Sequence, residues 1–179
     1  MPQLSLHTPV GDLTISEEML SGLPDSGSAG APCIVALDWG WGRDQTETPL
    51  LCRVRDALRA YFDGDGLEPG LPLAPSGTPY RQRVWAALRR IPAGSTRTYA
   101  ELAREVGGSA RAIGGAMAAN PIPVLIPCHR VVATGGLGGY SGGDGPATKR
   151  ALLDLDARGA CRTSSAGRAT PLPLWPEQQ

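Results

Sequence analysis

A proline- and glycine-rich connection over residues 67–79 divides the chain into two parts with different hydrophobic patterns. Before the connection, apolar residues alternate with polar ones in short runs, as in strands, and after it most of them recur at helical spacing. With 179 residues, the chain is long enough for two small domains. We therefore predict an N-terminal domain over 1–76, a C-terminal domain over 77–160 and a disordered tail over 161–179, which is rich in Ser, Pro, Gly and Ala.

The N-terminal part predicts a small α/β domain. Alternating residues at 4–6 and 13–15 flank a turn at 9–12, which predicts a β-hairpin. A third strand is expected over 33–37, and apolar residues near helical spacing predict a helix over 50–62.

The C-terminal part predicts mainly helices. Helical spacing runs through 80–90, and Ser95 or Thr96 is expected to cap the next helix. A short turn at 107–109 leads into a helix of small residues over 110–119. Two short helices joined by a glycine-containing turn predict a helix-turn-helix, although ordinary helical hairpins show the same pattern.

Charge is distributed unevenly between the two parts. Residues 1–77 hold four Arg against eleven Asp and Glu, a balance of about −7, whereas residues 78–160 hold eleven basic residues against five acidic ones, about +6. This asymmetry favours contact between the C-terminal part alone and a polyanion. An ordinary solvated surface explains the same scatter, so charge by itself leaves both interpretations open.

Cysteine usage and the absence of several motifs narrow the class of protein. Four scattered cysteines indicate reduced thiols in a cytoplasmic protein rather than a disulfide framework, and without a CxxC pair no metal site is predicted. No apolar run is long enough to span a membrane, and residues 1–11 do not resemble a secretory signal. The glycine-rich stretch 135–143 predicts a loop that approaches a ligand closely, but the Lys-Ser/Thr of a phosphate-binding loop does not follow it.

The tetrapeptide Pro127-Cys128-His129-Arg130 is the main candidate for chemistry, and it follows an apolar run over 122–126 that is expected to be a buried strand. An imidazole beside a thiol can raise the fraction of reactive thiolate. A buried structural Cys beside a surface His is the alternative. A carboxylate should orient the imidazole, and the leading candidates are Asp154 and Asp156 in the last predicted helix, 148–158.

Two classes of enzyme can use such a pair. A cysteine hydrolase needs an oxyanion hole and a water that regenerates the thiol, whereas a group-transfer protein needs a pocket that holds an electrophilic carbon in line with the sulfur. The basic C-terminal part and the helix-turn-helix pattern favour group transfer.

Several motifs occur in order from residue 77 onwards: Gly77-Thr78-Pro79-Tyr80, Val84-Trp85, Ile91-Pro92-Ala93-Gly94, Thr98-Tyr99, residues 110–117, Asn120-Pro121, residues 127–132 and Tyr140-Ser141-Gly142-Gly143. In this order they resemble the O6-alkylguanine-DNA alkyltransferase family, for which Pro-Cys-His-Arg-Val is highly specific. The resemblance covers residues 77 to about 157, and the N-terminal part is similar to the family's sheet domain only loosely. It implies an RNase H-like α/β N-terminal domain joined to a mainly α-helical, winged-helix C-terminal domain.

The resemblance also implies an activity. Such a protein repairs double-stranded DNA containing O6-alkylguanine by irreversible transfer of a methyl or larger alkyl group from O6 of guanine, or from O4 of thymine, to Cys128. Each molecule acts once and needs no cofactor. A monomer is expected, and cooperative assembly on DNA is left open.

Roles for individual residues follow from the same resemblance. His129 would be a water-mediated base oriented by Asp156, Asn120 would stabilise the turn before the active site, and Arg111 would fill the gap left by a flipped base. Further expected DNA contacts are Thr98, Ala110, Ala112, Gly114 and Arg130. The expected substrate pocket consists of Tyr99, Met117, Val131, Tyr140 and Ser141. The backbone carbonyls of Cys128 and Val131 would accept hydrogen bonds from the exocyclic amine of guanine. The Tyr99 hydroxyl would donate a hydrogen bond to the flipped base.

Each of these residues also has an ordinary interpretation. Tyr99 can be a core residue, Arg111 a solvated charge and Asn120 a helix C-cap, but their ordered occurrence favours the functional roles. Asp156 stands where the family has a Glu that is one methylene longer. Either the backbone comes closer, a water bridges the gap, or the thiolate is less activated. A non-catalytic lesion-binding protein is therefore the alternative, with the altered acid as its only support.

Overall fold

Five α-helices and five strands make up the part of the chain that this computed structural model describes, residues 1–22 and 30–164. In chain order they are β1 (Gln3–Thr8), β2 (Gly11–Leu20), β3 (Ala31–Trp39), α1 (Pro49–Phe62), α2 (Pro79–Arg89), β4 (Arg97–Thr98), α3 (Tyr99–Val106), α4 (Ala110–Ala118), β5 (Val131–Val132) and α5 (Pro146–Ser164). A 3-10 helix over Cys128–Arg130 precedes β5. The prediction of a small sheet unit followed by a mainly helical one is confirmed.

The N-terminal strands form an antiparallel sheet in the order β1-β2-β3. The predicted hairpin is present, with Thr8 paired to Gly11 across a two-residue turn. Alternation places apolar side chains of β1 and β2 on the face that α1 covers, and the side chains of Leu51, Val54 and Leu58 from α1 are fully buried. The sheet and α1 thus make the N-terminal core.

The connection over 67–79 is fixed to the outer edge of β3 rather than free. Ile34 donates its backbone N–H to the Pro72 carbonyl and accepts a bond from Ala74 N–H, each at 2.8 Å. Leu71 is buried, and the apolar cores of the two parts form one continuous cluster. The boundary at residues 76–77 remains a prediction, but the two parts pack against each other.

The start of α3 differs from the prediction. Thr98, not Ser95 or Thr96, caps this helix, because its hydroxyl accepts from Glu101 N–H while the Glu101 carboxylate accepts from Thr98 N–H. The parallel pairing of β4 with β5 aligns Arg97 with Val131. This pairing brings the N-terminus of α3 beside the Cys-His segment.

The last helix is longer than predicted. It was expected over 148–158 and runs over Pro146–Ser164, so the first residues of the predicted tail are helical. The remaining tail, 165–179, lies outside the described residues. None of the described helices is both long and apolar enough to cross a membrane.

Trp85 joins α2 to α4 and gives a test of the C-terminal packing. Its side chain is buried, and the indole Nε1–H donates to the Ala116 carbonyl at 2.9 Å. Trp85→Phe leaves that carbonyl without its donor and removes buried volume, so we expect a loss of about 1–3 kcal/mol in the free energy of unfolding. Urea unfolding followed by circular dichroism measures the loss. The control is Trp41→Phe at an exposed site, for which we expect a change within about 0.5 kcal/mol; equal effects of the two changes would contradict the prediction.

Candidate active site

The segment before Cys128 is a compact turn, so the prediction of a buried strand over 122–126 is wrong. Its residues are buried as expected, but prolines at 121, 123 and 127 remove the backbone donors that a strand would need. The only pairing within this segment is an isolated bridge between Pro123 and Ile126. Val124 has φ +70°, an unusual value for a β-branched residue.

Asn120 holds this turn from inside. Its side-chain Nδ2 donates to the Ile126 carbonyl at 2.9 Å, and its Oδ1 accepts from Ile122 N–H at 3.0 Å. The Leu37 N–H of β3 donates to the Pro121 carbonyl at 2.9 Å, so the N-terminal sheet also fixes the turn. The position predicted for Asn120, at the turn before the active site, agrees with these contacts.

Cys128 begins the 3-10 helix and is 5% exposed. Burial raises the pKa of the Cys128 thiol, and a hydrogen bond from Asn120 and the charge of Lys149 act in the opposite direction. The thiol is therefore mainly protonated at rest, and it needs a base to react.

Two adjoining cavities reach Cys128. The larger has a volume of ≈ 340 Å³ and is lined by Tyr99, Gly114, Met117, Ala118, Gly139, Tyr140 and Ser141 together with Cys128. The smaller, of ≈ 150 Å³, extends toward β3 and is lined there by Leu37, Asp38 and Trp39. The predicted pocket residues Tyr99, Met117, Tyr140 and Ser141 therefore all border the space next to the thiol.

His129 is fully buried and hydrogen bonded to Asp156, with 2.9 Å between Nε2 and Oδ2. Of the two acids that the sequence left open, Asp156 is buried and Asp154 is exposed. Burial lowers the pKa of His129, and the Asp156 carboxylate only partly offsets this. A neutral imidazole that donates from Nε2 has its lone pair on Nδ1, which has no hydrogen-bond partner among the described residues.

The shorter side chain of Asp156 reaches the imidazole directly because α5 packs closely against its neighbours. A Cβ on Gly94 would lie 2.7 Å from the Ala160 Cβ, and a Cβ on Gly159 would lie 3.4 Å from the Gly64 carbonyl oxygen. Small residues at these contacts let the helix backbone approach. The direct 2.9 Å contact between Asp156 and His129 needs no bridging water.

Arg130 does not face outward, and its predicted DNA contact is not compatible with its burial. Its Nε and Nη2 donate to the two oxygens of Asp156 at 2.6 and 3.0 Å, and its Nη1 donates to the Ile91 carbonyl at 2.7 Å. Burial alone would raise the pKa of Asp156, but the hydrogen bonds from His129 and Arg130 lower it to about 2. Arg130 therefore keeps Asp156 ionised.

Lys149 is a site residue that the sequence analysis missed. Its fully buried Nζ donates to the Val131 carbonyl at 2.6 Å and to the Gly139 carbonyl at 3.1 Å, and it lies 5.9 Å from the centre of the Tyr99 ring. Burial lowers the pKa of Lys149 to about 8, against the pull of Cys128. The available signal was that it is the single Lys in a chain with sixteen Arg.

The aromatic side chains of the pocket are held by the glycine loop. A Cβ on Gly138 would lie 3.3 Å from the Tyr99 hydroxyl, and a Cβ on Gly142 would lie 2.7 Å from the Trp39 Nε1. The buried hydroxyl of Tyr140 donates to Cys128, and this hydrogen bond helps to lower the pKa of the thiol. Burial raises the pKa of both Tyr99 and Tyr140, with the Cys128 charge adding to the effect, so both hydroxyls stay protonated.

The two carbonyls expected to read the guanine amine already accept internal donors. The Cys128 carbonyl accepts from Val131 N–H, and the Val131 carbonyl accepts from Lys149. Val131 is fully buried and lines neither cavity beside the thiol, so the structure does not place this predicted pocket residue at the pocket.

The predicted DNA contacts on α4 lie at the surface beside the larger cavity. Arg111 and Ala110 are exposed, Ala112 is half-buried, and Gly114 lines the cavity itself. Thr98 is half-buried, with its hydroxyl engaged in the α3 cap. No group of three His, Cys, Asp or Glu side chains within residues 1–22 and 30–164 is placed to hold a metal ion.

Comparison with known proteins gives one consistent result. Residues 79–158 match the family described as 6-O-methylguanine DNA methyltransferase, DNA binding domain. The methylated-DNA--protein-cysteine methyltransferase of Mycobacterium tuberculosis is 50% identical over 104 residues, which is 56% of this chain and 62% of that protein. The match thus spans less than two thirds of the length of that relative. The constitutive enzyme of the same name from Bacillus subtilis is 38% identical over 145 residues, 76% of this chain and 84% of that protein.

The fold agrees with the sequence comparison. A crystal structure of Mycobacterium tuberculosis OGT in complex with DNA superimposes with a TM-score of 0.70 at 34% identity, covering 87% of this chain and 92% of that one. The structure of an O6-methylguanine-DNA methyltransferase from Pyrococcus kodakaraensis gives a TM-score of 0.51 at 25% identity. On these similarities, together with the Cys128-His129-Asp156 arrangement, the chain belongs to the methylated-DNA--protein-cysteine methyltransferase family.

Proposed function

We propose that the chain repairs alkylated double-stranded DNA by moving a methyl or larger alkyl group from O6 of guanine, or from O4 of thymine, to the sulfur of Cys128. The observation that carries this proposal is the buried His129–Asp156 pair next to a thiol that borders two cavities. The names of the relatives add support, since they describe methyl transfer from DNA to a protein cysteine.

The first step is removal of the thiol proton. Because Nε2 of His129 is bound to the Asp156 carboxylate, Nδ1 is the atom that accepts the proton, directly or through a water molecule. The imidazolium that forms is stabilised by the ionised Asp156. Lys149 stabilises the thiolate through its charge.

In the second step the thiolate attacks the alkyl carbon. The S–C bond forms as the C–O6 bond breaks, and the electron pair of that bond passes into the guanine ring. A hydrogen bond from Tyr99 supports the leaving base, which takes up one proton, balancing the thiol proton released to His129, and departs as neutral guanine. The product is a thioether, and its new S–C bond does not break under mild conditions. Each molecule therefore acts once.

Delivery of the base requires that the nucleotide leave the duplex, because O6 is not accessible to a buried sulfur within stacked DNA. Arg111 is exposed on α4, whose small residues at 110, 112 and 114 permit close approach to a groove. We propose that α3 and α4 act as a winged helix-turn-helix, that Arg111 fills the gap in the duplex, and that the N-terminal unit has the RNase H-like topology. The protein is proposed to act as a monomer, and the four free thiols fit a reducing cytoplasm.

The two alternative functions have little support from the site. The non-catalytic lesion-binding protein depended on a disabled acid, but Asp156 contacts His129 at 2.9 Å. A cysteine hydrolase needs oxyanion donors facing the sulfur, and the backbone N–H of Cys128 instead donates to the Ile126 carbonyl at 2.8 Å.

Alkyl transfer is tested by intact mass spectrometry after incubation with an O6-methylguanine duplex. We expect one added methyl group per molecule, located on Cys128 by peptide mapping. Cys128→Ala should bind the duplex but gain no mass, whereas Cys161→Ala, a change at an exposed cysteine, should react like the wild type. An unchanged wild-type mass would refute the proposed function.

The role of Arg111 is tested by comparing two substrates. Arg111→Ala should slow transfer from duplex DNA about tenfold or more, because an unfilled gap leaves the flipped state without compensation for lost stacking. Transfer from free O6-methylguanine should change little. Arg59→Ala, at an exposed arginine of α1, removes the same charge and should leave both rates unchanged. If Arg111→Ala slowed transfer from duplex DNA and from the free base equally, Arg111 would act in the chemical step or in folding and not on the flipped base.

The pH dependence of transfer is tested through His129. Only the neutral imidazole accepts a proton, and burial lowers its pKa below the ordinary value of about 6.5. The rate constant should therefore stay near its plateau down to about pH 6.5 and fall only as His129 becomes protonated at lower pH. Single-turnover rate constants measured from about pH 5 to about pH 9 give this profile. If the rate constant had already fallen to its minimum at about pH 6.5, the prediction of a lowered pKa for His129 would be contradicted.

A further inference from the structure

Asp156 accepts four hydrogen bonds, and one of them comes from the N-terminal part of the chain. Oδ2 accepts from His129 and from Nε of Arg130, while Oδ1 accepts from Nη2 of Arg130 at 3.0 Å and from the hydroxyl of Tyr61 at 2.9 Å. A carboxylate has about four lone-pair sites, so this group is saturated with donors. Tyr61 lies 95 residues before its partner.

Tyr61 is held rigidly where it meets Asp156. It lies in the last turn of α1, is 2% exposed, and its ring makes an edge contact with Phe62 at 5.2 Å between centroids. The end of α1 is also joined to α5 by Arg162, which donates to the Asp63 carbonyl at 2.8 Å. The hydroxyl position is therefore set by the packing of α1 on the N-terminal sheet.

The proton of this hydroxyl stays on Tyr61. Burial and the neighbouring Asp156 raise the pKa of Tyr61, although Arg130 acts in the opposite direction. The Tyr61 hydroxyl therefore stays protonated and donates to Asp156, which stays ionised. Among the described residues, the charged or titratable groups that act on Tyr61, Asp156 or His129 are Arg130, Lys149 and Tyr140.

We infer that Tyr61 is a positioning residue for alkyl transfer, through which the N-terminal domain orients Asp156 and thereby sets the basicity of His129. This inference rests on the proposed function. Without the tyrosine hydroxyl, Oδ1 keeps only the Arg130 donor, and the short carboxylate can rotate away from the imidazole. The N-terminal unit is then a part of the active site as well as a support for it.

Tyr61→Phe removes one hydroxyl and keeps the ring. We expect transfer from an O6-methylguanine duplex to become about three- to tenfold slower, which is less than the full loss of a hydrogen bond to a charged group, because Tyr61 acts on the rate only through Asp156. A carboxylate that has turned away gives less support to the protonated imidazole, which lowers the pKa of His129 and makes it a weaker base. The acid limb of the rate profile should therefore move to lower pH.

Val54→Ala is the matched control for lost stability. This buried residue lies in the same helix but does not contact Asp156, so it should lower the unfolding temperature without moving the acid limb. A second control is a double-mutant cycle with Asp156→Asn. If Tyr61 acts through Asp156, Tyr61→Phe should have almost no further effect on the rate in the Asp156→Asn background. Additive effects, or an unmoved acid limb in Tyr61→Phe, would overturn the inference.

A separate measurement distinguishes failure of this inference from failure of the proposed function. Reaction of Cys128 with iodoacetamide, followed by peptide mass spectrometry across the same pH range, reports thiol activation without DNA. If the wild type transfers no methyl group but Tyr61→Phe still shifts this profile, the proposed function fails and the role of Tyr61 stands. If the wild type transfers methyl and neither profile shifts, the role of Tyr61 fails alone.

Discussion

The buried carboxylate of Asp156 is the interaction on which the rest of the site depends. It compensates the buried guanidinium of Arg130, fixes the tautomer of His129 and accepts the hydroxyl of Tyr61. Removing one partner of a buried ion pair leaves an uncompensated charge and costs about 3–5 kcal/mol. Three side chains from two elements, the 3-10 helix and α1, therefore converge on this carboxylate, and each loses a partner if it moves.

A short acid can hold this network only if its helix comes close. Glycines at 64, 94 and 159 remove side chains from the contacts between α5 and its neighbours, and Gly94 has a positive φ of +81° that favours glycine on backbone grounds as well. From this closely packed helix the Asp156 carboxylate reaches His129 and Arg130 directly. The acid and the packing around it have to be considered together.

Local patterns predicted most of the fold because they are local in origin. Alternation and helical spacing identified β1 to β3, α1, α2 and α4 to within a few residues, since burial of one face requires those periods. The strand predicted over 122–126 is wrong because an apolar run without alternation indicates burial but does not distinguish a strand from a turn, and the prolines at 121, 123 and 127 exclude the strand. Thr98 caps α3 in place of Ser95 or Thr96 because Thr98 alone of the three has an acid three residues later, Glu101, which completes a capping box.

The sequence by itself determined the candidate nucleophile, its candidate base and the order of the motifs, because Cys128 and His129 are adjacent in the chain. It could not decide between Asp154 and Asp156, place Arg130 inside, or find Tyr61 and Lys149. Those assignments arise from contacts between residues distant in the chain. They depend on how closely α1 and α5 pack around the 3-10 helix, and that packing is a property of the tertiary structure alone.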